Sequence, residues 1–248
     1  MVVNRINREG DDQRIDQTTY LTLVGALNHL SQYTRPDILF AVSCAAQKCA
    51  APNVGDLRAV NRIFQYLSCT IDLGLRYSAE GSMELVGSVD ASHNQYDDGR
   101  GHYGFSFSLG RGNGAFSTKS SKMKLNTLSS TESEYVAFCE ATREALWLRW
   151  LLSDMGFPQK SATLIYEDNT STIQMLEGAY NHKASKHVNP RYHFSKSAIR
   201  DEFIRVKHLI TTEMESDMLT KALPTQTHWK FTKKLLNGYQ SIYGTMII

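Results

Sequence analysis

Several things are scarce in this 248-residue chain. It has only four cysteines, and Cys44, Cys49, Cys69 and Cys139 form no CxxC pair and no zinc-type pattern with histidine. That excludes a disulfide scaffold and points to free thiols in a reducing compartment. No run of 18 apolar residues occurs, so no membrane-spanning helix is expected. The start, "MVVNRINREGDDQR", lacks the apolar core of a secretion signal and reads as a flexible lead-in over 1–16. Net charge is nearly absent: 27 Lys and Arg stand against 25 Asp and Glu, a formal +2. A wholly basic nucleic-acid-binding chain is thereby excluded, and any basic surface must be local. Internal repeats and low-complexity tracts are also missing.

What is present is a core's worth of apolar residues, 42% of the chain, in two patterns. Residues 17–69 have helical periodicity. Tyr20, Leu23, Val24, Leu27 and Leu30 form one stripe. A second, mostly apolar helix follows from 35, with Thr34 placed to cap it and Pro36 in its first turn. A third, over 54–69, offers Leu57, Val60, Ile63, Phe64 and Leu67. "LGLRYS" reads as a short strand or an extended exit, and "AEGS" at 79–82 as a boundary.

Beyond it the period changes to two. "ELVGSVDAS" alternates as a strand over 84–90. "YGFSFSLG", the turn "GRGNG" and "AFSTKSS" make two more strands, the last extendable by "MKLNTL". A long helix spans about 131–155 and stops at Gly156-Phe157-Pro158. Then come a strand "ATLIYEDN", a short helix, a strand "EFIRVKHLI", and an acid-containing helix "EMESDMLTKAL" before Pro224, leaving 225–248 as a tail. The order β-β-β-α-β-α-β-α implies an α/β fold: a mixed five-stranded sheet flanked by helices, preceded by a small helical region.

An apolar strand that ends on a carboxylate needs a reason, because Asp is disfavoured in strands and costly to bury unpaired. Asp90 closes the first strand, and Asp168 closes "LIYED" the same way. If these strands are parallel neighbours, the two acids lie side by side at carboxyl ends, where α/β sheets place their sites. Glu134 from "SSTESEYVA" and Asp217 from "ESDMLTK" also sit at element ends. Bare carboxylates brought together repel; around divalent cations such as Mg²⁺ they become ligands. Each acid also has a local alternative, and for Asp90, on its own stretch, a strand that simply stops where the carboxylate reaches solvent is the simpler reading. Glu134 stands three after Thr131, as in a capping box. Asp168 could cap the next helix, and Asp217 could favour a helix first turn. His182, His187 and His193 lack zinc spacing. Lys183, Lys186, His187, Arg191 and Lys196 fit either a phosphate-binding surface or a solvated face. Trp147 and Trp150 read as core more readily than as a stacking platform.

"SVDAS", "LSSTESEYVAFCEATREALWLRWLL", "IYEDNTSTI", "SKHVNPRYHF" and "SDMLTKALP" resemble the ribonuclease H region of the Pol polyprotein of copia-type LTR retrotransposons. "LVGALNHLSQYTRPDILFAVSCAAQ" and "RIFQYLSCTIDLGLRY" resemble the preceding end of reverse transcriptase in the same polyproteins. The resemblance spans about 18–224 and implies a ribonuclease H-like domain over 81–224, with 17–80 as the reverse-transcriptase end. It implies hydrolysis of the RNA strand of RNA–DNA hybrids, with Asp90, Glu134, Asp168 and Asp217 as the catalytic acids holding two Mg²⁺ or Mn²⁺ ions. It further implies a polymerase part of the same polyprotein as partner, and a cytoplasmic particle or the nucleus as location. The chain departs from the family at Asn189, usually Asp, and at Gly101-His102-Tyr103, which replaces a Ser-Thr-Ser-like run. The polymerase site is absent; "QYDDG" at 95–99 has the wrong spacing for it. The opposing reading is an inactive nucleic-acid-binding remnant of such an element. Transposase-type enzymes order their acids Asp-Asp-Glu, and proofreading exonucleases carry Asp-x-Glu on the first strand; neither pattern is here.

Overall fold

Alternation in Leu85–Ser92 (β1) sends Leu85 and Val89 to one face and Ser88 and Asp90 to the other. That simple period organises the whole sheet. In the computed structural model, which describes residues 10–78, 82–110, 112–178 and 191–237 (backbone alone for 191–193), β1 is the central strand of five. His102–Leu109 (β2) runs antiparallel to it and Ser117–Lys122 (β3) antiparallel to β2; Thr163–Glu167 (β4) and Ile204–His208 (β5) follow in parallel on the other side. The order β3-β2-β1-β4-β5 is a mixed five-stranded sheet, as the order of elements in the sequence implied.

One face carries the long helix Ser130–Asp154 (α4). Tyr135, Phe138, Ala141, Ala145 and Leu148 bury themselves against Leu85, Val89, Phe105, Phe107 and Ile165. The turn of α4 nearest the carboxyl end of β1 carries Ser133 and Glu134, both buried. Trp147 and Trp150, expected in the core, are 52% and 67% exposed, because the stripe facing the sheet runs through Ala145 and Leu148 instead. Thr170–Leu176 (α5) and Arg191–Arg200 (α6) complete this layer.

The helical region packs as its stripes require. Gln17–Tyr33 (α1), Leu39–Ala46 (α2) and Val54–Ser68 (α3) bury Tyr20, Val24, Leu27, Val42, Val60 and Ile63 together. Leu57, Phe64 and Leu67 are partly exposed. Asn53 and Asp56 close a capping box at the start of α3. Thr34 does not cap the second helix: it ends α1, and α2 is preceded by a 3-10 turn, Pro36–Ile38. Arg35 is buried there, bonded to Asp37 and to the carbonyl of Thr70 at 2.8 Å. Residues 73–78 form no strand; the Arg76 N–H donates to the Leu236 carbonyl and the Arg76 carbonyl accepts from the Gly114 N–H.

Three further expectations are corrected. β3 stops at Lys122 and does not continue through "MKLNTL", since β2 ends its pairing opposite it at His102. The stretch 213–223 is not an α-helix but 3-10 turns at Thr211–Glu213 and Glu215–Leu219, broken by extended Met214. Leu219 packs directly on Gly104, its carbonyl accepts from Ser120, and Thr220 turns its hydroxyl to Asp90, so the segment follows the sheet instead of a helical path. Finally, 225–236 is no tail: Thr225–Leu236 is a helix (α7). Its Phe231 and Leu235 join Leu39, Ala115, Met218, Leu219 and Leu223 in a second core on the other side of the sheet. Leu39 belongs to α2, so that core ties the helical region to the sheet unit. Among the described residues no helix is long and apolar enough to cross a membrane.

Candidate functional site

β1 and β4 pair in parallel as Val86–Leu164, Gly87–Ile165 and Ser88–Tyr166. Extended by two positions, that register sets Asp90 level with Asp168. Asp90 lies inside β1, paired with Gly104 of β2, and Asp168 lies one residue past the end of β4. Glu134 reaches them from the first turns of α4. Ligand oxygens of Asp90, Glu134 and Asp168 all lie within 4.8 Å of one another. Asp90 and Glu134 are buried and Asp168 is half-buried.

The local alternatives for these acids fall to their neighbours. Ser129, not Thr131, caps α4, accepting from the Glu132 N–H, and Glu132 Oε2 accepts from the Leu128 N–H at 2.7 Å. Glu134 is left out of the cap, and its Oε2 is buried without a hydrogen-bond partner among the described residues. Asn169 caps α5 through the Thr172 N–H, which frees Asp168 to accept from the Thr211 hydroxyl at 2.7 Å.

Asp217 stands outside the three-acid group but beside it. Lys221 links the two: its Nζ lies 3.0 Å from Asp217 Oδ1 and 3.9 Å from Asp90 Oδ2. Asp90 also accepts a hydrogen bond from Thr220. The sequence reading missed Lys221, although "SDMLTK" sets it four after Asp217, the spacing of a helical ion pair. It also missed Glu167. This side chain is fully buried, its Oε1 accepts from the Asn169 N–H at 3.0 Å, and its Oε2 has no partner among the described residues. Alternation in β4 was the available signal, because it pairs Glu167 with core-facing Ile165.

The electrostatics show strain. Burial, then the charge of Asp217, pushes the Asp90 carboxyl well above its ordinary range. Burial, then Glu167 and Asp90, does the same to Glu134. Glu167 is raised by burial and by Asp168 and Asp90. Asp217 is raised by burial, with Lys221 pulling the other way. Burial disfavours the Lys221 ammonium, yet Asp90 and Asp217 together hold its pKa above the usual value. Converging carboxylates with an orphaned oxygen and incomplete compensation by cation suit a divalent metal ion, which prefers oxygen ligands.

The expected basic surface is only partly visible. Lys183, Lys186 and His187 lie outside the described residues, as does His182. Arg191 begins α6, with its side chain undescribed, and Lys196 is half-buried on the same helix.

No protein-family model matches the chain. It is 32% identical over 223 residues to the retrovirus-related Pol polyprotein from transposon TNT 1-94 of Nicotiana tabacum, a match covering 90% of this chain and 16% of that protein. It is 31% identical over 221 residues to the corresponding polyprotein from transposon RE1 of Arabidopsis thaliana, covering 89% of this chain and 15% of that one. Among solved structures, a ribonuclease H1 isolated from compost by a metagenomic approach aligns with 56% of this chain and 93% of its own, at 14% identity and a TM-score of 0.41.

Proposed function

The chain belongs to the retrovirus-related Pol polyproteins of plant transposons, of which it spans about 16% of the length, and on that premise we propose that it is a metal-dependent ribonuclease H acting on the RNA strand of RNA–DNA hybrids. The observation that carries the reading is the convergence of Asp90, Glu134 and Asp168 at the carboxyl ends of two parallel strands. In this reading residues 81–224 are the nuclease unit and 17–80 the end of the polymerase part, with the rest of that polymerase as natural partner.

Asp90, Glu134, Asp168 and, across Lys221, Asp217 are the residues that would hold a pair of Mg²⁺ or Mn²⁺ ions. Such ions supply an activated water and stabilise charge on the phosphate during in-line displacement. The protein's own part is positional. Thr220 orients Asp90 and Thr211 orients Asp168. Burial on α4 keeps water from competing for Glu134. Lys221 holds Asp217 and Asp90 close against their repulsion. Lys183, Lys186, His187, Arg191 and Lys196 are proposed to meet hybrid phosphates, which fix register without reading sequence.

The test is direct. Purified chain is incubated with hybrid labelled on either strand, in Mg²⁺, in Mn²⁺ and in chelator. RNA fragments with 5′-phosphate and 3′-hydroxyl ends are expected only with metal, and duplex DNA should stay intact. Cutting that persists in chelator sinks the proposal. Hybrid binding without cleavage in either metal, at high enzyme concentration, supports the inactive binding module instead.

A further inference from the structure

Asp90, Gly104 and Ser120 form one row across β1, β2 and β3, each paired with the next. The 3-10 segment Glu215–Leu219 and the following Thr220 lie along that row and touch all three positions. Thr220 donates to Asp90. Leu219 rests on Gly104 so closely that a Cβ there would stand 2.5 Å from the Leu219 Cβ. Ser120 Oγ donates to the Leu219 carbonyl at 2.6 Å. Because this proton is committed, Ser120 can only accept from His102 Nε2, 2.8 Å away. In the neutral ring that burial enforces, Nδ1 is then bare and accepts from the Tyr96 hydroxyl at 2.7 Å. Tyr96 in turn accepts from Gln47 Nε2 at 3.0 Å. Every proton in this chain points the same way, from the end of α2 to Leu219. His102 is its middle link, fully buried, with Phe40 of α2 edge-on to its ring at 5.1 Å.

We propose that His102 is a positioning residue: it fixes the Leu219–Thr220 peptide from the helical region, and so sets Asp217 and Thr220 against Asp90. Its buried imidazole stays neutral, because burial pulls its pKa down to about 3. Only the last step, from geometry to turnover, rests on the nuclease reading. The helical region thus contributes to the site without bringing an acid to it.

Three full-length variants test this: His102→Leu, Ser120→Ala and His102→Gln. Hydrogen exchange is followed over 215–221, where the Thr220 and Lys221 amides donate to the Asp217 carbonyl, together with kcat and KM on hybrid. In His102→Leu and Ser120→Ala those amides should exchange about tenfold faster, as expected for one lost buried hydrogen bond. Exchange in α1 and α4 should not change. The kcat should fall by a similar factor with KM held, and His102→Gln, whose amide can still donate to Ser120, should recover most of the loss. Exchange over 215–221 equal to the parent's in both variants overturns the proposal. So does acceleration spread evenly through α1 and α4, which would signal plain loss of stability. If His102→Leu does not fold, Ser120→Ala, which removes one oxygen, decides alone. A parent that never cuts hybrid would end the nuclease reading, while the exchange pattern still decides the role of His102.

Discussion

Glu134→Gln separates stability from function most sharply. Glu134 is 6% exposed, its Oε2 has no partner among the described residues, and three of its neighbours, Glu167, Asp90 and Asp168, are acids. A glutamine keeps the shape, removes the charge and brings an N–H₂ that can donate to those carboxylates. The penalty of a buried unsatisfied polar group is about 1–3 kcal/mol, and removing it should stabilise the chelated protein by that order. At about 2–4 °C per kcal/mol for a chain of this size, Tm in chelator should rise by several degrees. The pH dependence has a definite sign. Glu134 has a folded pKa raised above the ordinary 4.5, so the parent is penalised above that range and relieved as pH falls. The advantage of the mutant should therefore be largest at neutral pH and fade towards pH 4.5. Added Mg²⁺ should stabilise the parent more than the mutant, since only native-state binding shifts the equilibrium. Cleavage should drop by about two orders of magnitude or more. Thermal melts in chelator and in Mg²⁺, paired with hybrid cleavage, check all of this. A mutant that melts earlier than the parent in chelator and cleaves normally would refute the reasoning.

Asp168→Asn should likewise abolish most cleavage while hybrid binding survives, because phosphate contacts lie elsewhere; lost binding with normal cleavage would contradict it. His102 and His228 are buried with pKa values of about 3 and about 4, below the ordinary 6.5, so their stability contribution is complete above 6.5 and lost as pH falls. At pH 5 each should have taken away about 2 kcal/mol, and urea melts of His228→Leu against the parent should converge by that amount between pH 7.5 and 5; a constant difference would refute it. Gly104→Ala would force a Cβ against the Leu219 Cβ and carbonyl, and should reduce cleavage and Tm together; an unchanged melt would show that the close approach is not needed. Leu39→Ala should cost about 2–5 kcal/mol through the shared core with Phe231 and Leu235; a loss under 1 kcal/mol would mean that the helical region is only loosely attached.

The parts legible in the sequence are those with a period. α1, α3, α4 and the strands announced themselves by stripes and alternation, and two like-ended strands foretold the meeting of Asp90 and Asp168. The segment around Asp217 was misread as a helix because a five-residue 3-10 turn has no period to detect, and its shape is set by Gly104 and Asp90, far away in sequence. α7 was missed although Phe231 and Leu235 stand four apart, because its apolar face meets Leu39 and Leu219, which local pattern does not join to it. Glu167 was overlooked beside Asp168: composition gives the two acids equal weight, and only the direction of the pleat tells them apart.

Thr220 reaches Asp90 across 130 positions of the chain, and His228 reaches Asp37 across 191. Such separation has a kinetic meaning. Closing a loop costs entropy that grows with the logarithm of its length, so contacts this distant slow folding. During synthesis at about 5–20 residues per second, roughly 6–26 s pass between the emergence of the first acid and that of the segment that locks it. Through that interval the newborn chain holds Asp90 without Thr220 or Asp217. The order of translation thus brings Asp217 and Thr220 to the sheet only after all five strands have been made.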